Sequence, residues 1–168
     1  MNGPSQVSCG TNYWTEPDAA NPAYTGGSVS NAPTACEQVG LNSPVGITVT
    51  FGSAITDLYM ALLSVGQPNF TVTYDFDTAF TVDSEGRGYW GDGGYALGAG
   101  DTIVMQEFHG VLRFAGPVTS ISFTTAPAEL WHAFTFGSAA ATTVPEPATL
   151  ALMGMALAGI GLARRRRR

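Results

Sequence analysis

Through the middle of the chain, between residues 42 and 137, apolar and polar residues alternate with a period of two. The alternation is clearest at 47–51 and 70–76, where bulky apolar side chains alternate with threonine and aspartate. A period of two is typical of strands that bury one face. Similar short apolar stretches, rich in β-branched and aromatic residues, predict further strands at 58–63, 79–82, 102–108, 111–114, 118–124 and 131–136.

Clusters of glycine, proline, asparagine and aspartate separate these strands and predict turns at 66–69, 83–86, 91–94, 98–101, 115–117 and 126–127. About eight short strands, with no helical pattern of useful length, predict an all-β fold. The expected architecture over residues 42–138 is an antiparallel β-sandwich that resembles a jelly roll. Residues 1–41 are rich in Asn, Pro, Gly and Thr, so we expect a loop-rich arm that packs on the sandwich.

The composition changes after residue 138. A linker, 139–147, precedes an uncharged stretch at 148–163, and five arginines follow: Arg164, Arg165, Arg166, Arg167 and Arg168. As a helix, 148–163 would be about 24 Å long and apolar on all sides, which predicts a transmembrane segment rather than an amphipathic soluble helix. The arginine cluster should stay on the cytoplasmic side, so the preceding domain should lie outside.

The tail combines three parts in a fixed order: the apolar stretch, the arginine cluster and, before both, the motif formed by Val144, Pro145, Glu146 and Pro147. It closely resembles the PEP-CTERM sorting signal of Gram-negative bacteria. The resemblance implies an inner-membrane exosortase as partner, which cuts near the Pro-Glu-Pro motif and passes the protein to the cell surface or extracellular matrix. The segments 107–123 and 129–137 are also similar to the final strands of β-sandwich ectodomains in PEP-CTERM proteins.

Charge is scarce and unevenly placed. The chain has no lysine, and outside the terminal cluster only Arg87 and Arg113 oppose 13 acidic residues, which leaves that part of the chain with a net charge of −11. Such a domain repels phosphate backbones, so DNA and RNA are not expected as partners. Cations, neutral polymers and polar surfaces remain candidates.

Two cysteines, Cys9 and Cys36, lie in the arm. Export favours a disulfide between them over two free thiols, because secreted chains meet oxidants. In the loop-closure account, this bridge would stabilise the domain by about 3–4 kcal/mol. Residues 1–8 contain neither a basic n-region nor an apolar h-region, so we expect that a signal peptide was trimmed or precedes the assigned start.

Acidic residues cluster between residues 75 and 101, at strand ends and in glycine-rich turns. Asp75 and Asp77 would share a strand face, and Asp83 and Glu85 lie in the next turn. Calcium prefers six to eight oxygen ligands of this kind, so these four carboxylates are a candidate calcium site. No EF-hand or nonapeptide repeat is present, and solvated acids on turns are the alternative.

Three aromatic residues, Tyr89, Trp90 and Tyr95, flank a glycine-rich loop that contains Asp92. Aromatic rings beside an acid in an exposed loop can stack on sugar faces while the carboxylate accepts hydrogen bonds from sugar hydroxyls. This pattern predicts a glycan-binding loop. Core or sheet-edge packing of the rings is the alternative.

Enzymatic interpretations depend on Glu107, His109, Glu129 and His132. Glu107 and His109 share a strand face, whereas the spacing of Glu129 and His132 does not place both on one face. No zinc-protease, three-ligand or Gly-x-Ser-x-Gly pattern is present, so packed or hydrogen-bonded side chains are expected. We therefore expect a non-enzymatic surface or matrix protein without a cofactor, which binds exopolysaccharide. A small secreted glycan-acting hydrolase using Glu107 or Glu129 and a calcium-stabilised structural module are the alternatives.

Overall fold

The computed structural model describes residues 5–6 and 9–138, and every regular element within these ranges is a β-strand. All strand pairs are antiparallel, which confirms the all-β antiparallel prediction. The nine strands are β1 (Ser5–Gln6), β2 (Val39–Leu41), β3 (Val45–Val65), β4 (Val72–Phe76), β5 (Thr81–Glu85), β6 (Gly94–Leu97), β7 (Thr102–Gln106), β8 (Phe108–Ala126) and β9 (His132–Ser138).

The predicted tail falls outside the described residues. This applies to the Val-Pro-Glu-Pro motif, to the apolar stretch 148–163 and to the arginine cluster. Within the described part of the chain, no helix is long and apolar enough to cross a membrane.

Two strands, β3 and β8, are much longer than the sequence pattern predicts. Each joins two predicted strands, and the turn expected at 115–117 does not end β8. The reason is that the irregularities are absorbed as bulges: the register of β3 against β8 shifts between Thr50 and Ile55, and Gly116 adopts a φ of 85°. A bulge bends a strand without ending it.

Because β3 and β8 are bent, a single sheet folds back on itself around one core. One half of the sheet contains the first part of β3, the second part of β8, and β4, β7 and β6. The other half contains the second part of β3, the first part of β8, and β9, β2 and β5. Phe76 of β4 contacts Phe114 of β8 with ring centroids 5.3 Å apart, and Phe123 contacts Phe134 of β9 at 5.4 Å. These contacts cross between the two halves, so the apolar faces of both enclose the core.

The arm before β2 packs on the outer face of this sheet. Trp14 and Tyr24 are buried in a second apolar cluster with Tyr59 and Leu63 of β3. The Glu16 carboxylate accepts hydrogen bonds from the backbone N–H of Tyr24 at 2.6 Å, which folds the arm locally. The arm is also closed covalently, since the predicted disulfide between Cys9 and Cys36 is present and that prediction is confirmed.

Candidate functional site

Four aromatic side chains from three separate segments form one cluster on the surface. Tyr13 comes from the arm, Tyr89 and Trp90 from the loop between β5 and β6, and Trp131 from the residue before β9. The Tyr13 and Trp90 rings stack with centroids 4.7 Å apart and an interplanar angle of 28°. Trp131 meets the Trp90 ring at 5.5 Å, and Tyr89 meets it at 4.9 Å. We call these four residues the aromatic platform.

The platform is open to solvent although its members are large and apolar. Tyr89 is 49% exposed and Trp90 45% exposed, while Tyr13 and Trp131 are partly buried beneath and beside them. Aromatic rings of this size are normally buried, and exposed groups of them mark interaction sites. Tyr13 and Trp131 pack against the second apolar cluster, so the arrangement offers two accessible rings in contact with two partly buried ones.

Glycines shape the loop that carries Tyr89 and Trp90. The Gly88 N–H donates to the Gly91 carbonyl at 2.8 Å, which forms a tight turn around the two aromatic residues. A Cβ at Gly88 would overlap the His109 ring, and a Cβ at Gly93 would overlap the Gln106 carbonyl. The loop can approach β7 and β8 this closely only because residues 88 and 93 have no side chains.

The structure brings together some of the predicted glycan-binding residues and separates others. Tyr89 and Trp90 share the platform, and Asp92 follows in the same loop. Tyr95 lies on β6, where its ring packs edge-on against Phe108 at 5.6 Å. Sequence reasoning missed Tyr13 and Trp131, because no local pattern connects residues so far apart in the chain.

Beneath the loop, a buried polar network connects the arm with β3 and β8. The hydroxyl of Tyr24 lies 3.0 Å from Nδ1 of His109, and Nε2 of the same ring lies 3.3 Å from a carboxylate oxygen of Glu107. The Ser64 hydroxyl donates to that oxygen at 2.7 Å. Since the Ser64 N–H also points at Nδ1, this nitrogen is the acceptor and Nε2 carries the proton. The arrangement fixes the tautomer of His109.

Burial sets the protonation of this network. It lowers the pKa of His109, while the nearby Glu107 carboxylate acts in the opposite direction. It also raises the pKa of Tyr24 well above the ordinary value, and the charges of Glu16 and Glu107 add to this effect. Tyr24 and His109 are therefore both neutral at neutral pH. Ser64 and Glu107 have left-handed φ values of 54° and 46°, a conformation that tertiary packing must maintain.

The second acid–histidine pair is also closer than its spacing suggests. Glu129 contacts Nδ1 of His132, and both side chains are buried. Glu129 precedes β9 in a loop, so strand geometry does not separate the two residues. The Gly66 N–H donates to the same carboxylate oxygen at 3.1 Å. Burial, with a contribution from Glu129, raises the pKa of Tyr74 well above its ordinary value.

The two glutamates considered for catalysis are both buried beside a histidine, but in the second pair Oε2 of Glu129 and both ring nitrogens of His132 have no hydrogen-bond partner among the described residues. Glu107 is 7% exposed and Glu129 is 8% exposed. Each carboxylate contacts a histidine and a donor from the β3 end, so both contribute hydrogen bonds within the fold. Such bonds stabilise a buried carboxylate that would otherwise be costly to desolvate.

The structure does not bring the four carboxylates predicted to bind calcium together at one place. Asp75 and Asp77 line a common groove, where Asp77 accepts a hydrogen bond from the Ser122 N–H at 2.9 Å. The Asp83 carboxylate instead accepts hydrogen bonds from Ser28 of the arm. The Ser28 N–H donates at 2.7 Å and the Ser28 hydroxyl at 2.8 Å. Among the described residues, no group of three or more His, Cys, Asp or Glu side chains is placed to hold a metal ion.

Electrostatics separate these acids further. Burial raises the pKa of Glu85, and the neighbouring charge of Asp92 raises it more. Burial also tends to raise the pKa of Asp77, but hydrogen bonds from Ser122 and Thr78 outweigh it and lower the value. Glu85 therefore interacts electrostatically with Asp92 of the platform loop, whereas Asp77 is hydrogen-bonded to Ser122 of β8.

Comparison with known proteins identifies the tail. Residues 143–168 match the family model described as the PEP-CTERM protein-sorting motif. The motif implies export, processing by an exosortase, which is a membrane protease, and membrane anchoring before release at the surface. No curated protein and no solved structure matches the chain.

Proposed function

We propose that this chain, which carries a PEP-CTERM sorting motif, is a non-enzymatic protein of the cell surface or extracellular matrix that binds exopolysaccharide. The aromatic platform is the observation that supports binding, because it exposes Tyr89 and Trp90 in contact with two partly buried rings. The sorting motif supports the proposed location, because it implies export.

The chemistry of the platform fits a sugar polymer. One face of a pyranose ring presents C–H groups, which pack on the flat face of a tryptophan or tyrosine, while its hydroxyls need polar partners. Trp90 supplies such a face, and Asp92 in the same loop supplies a carboxylate acceptor. Because Trp90 is held by stacking on Tyr13, little side-chain freedom remains to be lost on binding.

Affinity electrophoresis of the full chain in detergent, through gels containing exopolysaccharide from its host, tests this proposal. Trp90→Ala should weaken retention at least about tenfold, since truncating a central aromatic anchor typically costs more than about 1.4 kcal/mol. Leu97→Ala is the matched control, because Leu97 is an exposed apolar side chain on β6 that is not part of the platform. A wild-type chain that is never retained, or equal retention of both variants, would contradict the proposal.

The fate of the tail belongs to the same proposal. We expect residues 148–163 to anchor the precursor as a single transmembrane helix, with Arg164–Arg168 in the cytoplasm, until exosortase cuts near Glu146. Mass spectrometry of the protein recovered from the envelope and medium of its host measures both termini. A mature form that ends near Glu146 supports the proposal, whereas a form that ends at Arg168 in the medium contradicts it.

A secreted glycan-acting hydrolase is the second candidate, and one contact favours it. A Cβ at Gly91, in the platform loop, would lie 3.6 Å from Cγ of Glu107, so this carboxylate lies close to the proposed sugar site. Release of reducing ends from a panel of glycans measures the activity. Release that disappears in Glu107→Gln would support the hydrolase and exclude the non-enzymatic proposal.

A further inference from the structure

The buried ring of His109 contacts both segments that carry the aromatic platform. Its Nδ1 lies 3.0 Å from the hydroxyl of Tyr24, which belongs to the same arm as Tyr13 of the platform. The ring also lies against Gly88, where a Cβ would overlap Nδ1, Cγ and Cε1. Gly88 begins the tight turn that carries the two exposed rings of the platform. A change at the His109 ring therefore reaches the platform through the arm and through the loop.

The arm connects this hydrogen bond to the platform through one aromatic neighbour. The Tyr24 ring packs edge-on against Trp14, with centroids 5.2 Å apart. Trp14 follows Tyr13 in the sequence, and the Tyr13 ring stacks on Trp90. Trp14 and Tyr24 are both buried, and close-packed rings cannot move without shifting their neighbours. The position of Tyr13 consequently depends on where the Tyr24 hydroxyl is held.

The hydrogen bonds at Nδ1 of His109 form only while this nitrogen is an acceptor. The Tyr24 hydroxyl and the Ser64 N–H both point at it, the second at 3.3 Å. A proton on Nδ1 turns the acceptor into a donor, which removes the Ser64 bond and requires the Tyr24 hydroxyl to turn. His109 is only 1% exposed, so the Ser64 N–H would lose its partner inside the fold. Leaving a buried donor unpaired is unfavourable.

The surroundings of the ring favour its neutral form. Burial lowers the pKa of His109 below the ordinary value, against the charges of Glu107 and Asp92, which raise it. Glu107 comes from the start of β8 and Asp92 from the platform loop. Two more carboxylates, Glu16 of the arm and Glu85 of β5, act on the neighbours of the ring. Falling pH therefore charges a ring whose contacts are arranged for the neutral state.

We propose that His109 makes the aromatic platform sensitive to pH: a proton on Nδ1 loosens the arm and the platform loop, so that exopolysaccharide binding weakens as the medium becomes acidic. This inference depends on the proposed function and describes the regulation of the same site. The direction follows from linkage, because a loosened form has the ordinary histidine pKa of about 6.5 and gains the proton first. One proton shifts such an equilibrium by at most about tenfold per pH unit.

Fluorine NMR of the full chain in detergent, labelled with 5-fluorotryptophan, tests the coupling without any polysaccharide. The chain has three tryptophans, so Trp→Phe variants assign the resonances one by one. We expect the Trp90 and Trp131 resonances to shift together as the pH falls from 7.5 to 5, with a midpoint below about 6.5. His109→Gln should abolish these shifts. The matched control is His132→Gln, which replaces the other histidine of the chain and should leave the shifts unchanged.

Tyr24→Phe provides a second test that keeps the aromatic ring in place. Because the Tyr24 hydroxyl bonds to the neutral form of His109, its removal should raise the midpoint of the shifts by up to about one pH unit. Melting temperatures at pH 7.5 identify any variant that has lost its fold. Resonances that stay constant in the wild type, shifts that persist in folded His109→Gln, shifts lost in folded His132→Gln, or an unchanged midpoint in Tyr24→Phe would each overturn the proposal.

Affinity electrophoresis at pH 7.5 and pH 5.5, through gels that contain the host exopolysaccharide, measures the consequence for binding. We expect retention of the wild type to weaken about three- to tenfold at the lower pH and His109→Gln to be retained equally at both. Equal retention of the wild type at both pH values contradicts the regulation. Absence of retention at either pH contradicts the proposed function instead, and the NMR shifts then decide whether His109 controls the platform.

Discussion

Gly88 lies against the ring of the buried His109, and a methyl group at this position has no space. A Cβ built on Gly88 overlaps Nδ1, Cγ and Cε1 of that ring. The ring cannot move away freely, because its nitrogens contact Tyr24 and Glu107. Overpacking costs about 1–3 kcal/mol, and each hydrogen bond lost adds about 0.5–1.5 kcal/mol. With both hydrogen bonds lost, we therefore expect Gly88→Ala to lower the free energy of unfolding by about 2–6 kcal/mol.

Urea unfolding at pH 7.5, analysed by linear extrapolation, measures this difference. Gly94→Ala is the matched control, because a Cβ at Gly94 meets nothing within 4 Å. Replacing a glycine that has open space changes stability by less than about 1 kcal/mol, usually upward. Equal stability of Gly88→Ala and Gly94→Ala would refute the reasoning, since it would show that the polar network does not hold the His109 ring in place.

Three further changes test other parts of the fold. Replacing Cys9 and Cys36 with serine should lower the free energy of unfolding by about 3–4 kcal/mol in the same urea assay, and a loss below about 1 kcal/mol would contradict loop closure as the source of stability. Burial lowers the pKa of His109, so its contribution to stability is complete above pH 6.5 and is lost as the pH falls from 6.5 through the lowered pKa. The melting temperature should fall accordingly between pH 6.5 and pH 5, and His109→Gln should flatten this slope; an unchanged slope would assign it to other groups. Leu62→Ala, in the core, should cost about 2–5 kcal/mol by calorimetry, whereas the exposed Leu130→Ala should stay within about 0.5 kcal/mol.

The sequence pattern predicted the fold class because period-two alternation reports one buried face directly. It did not predict the length of β3 and β8, since Gly116 and Pro117 are typical of turns and a bulge at such residues looks the same in sequence. Only the neighbouring strands decide whether the chain turns or merely bends there. The folding of one sheet around its own core follows from these bends, so the local sequence pattern could not predict it either.

The candidate site shows the same division between local and long-range information. Tyr89 and Trp90 could be selected because they are adjacent in a glycine-rich loop, but Tyr13 and Trp131 reach them only through the packing of the arm and of β9. The contact of Glu129 with His132 was missed because their spacing was judged by strand geometry, whereas Glu129 lies in the loop before β9. Side chains that meet through tertiary structure leave no periodic pattern.

The arm before β2 connects the export of this chain with the assembly of its candidate site. It contributes Tyr13 to the aromatic platform and Tyr24 to the buried network, and the bond between Cys9 and Cys36 closes it. A loop-rich arm with few apolar side chains depends strongly on such a bond, and the bond forms in oxidising compartments rather than in the cytoplasm. The sorting motif implies that the chain leaves the cytoplasm. Under the proposed function, the platform is therefore completed only after export, where its polysaccharide ligand is found.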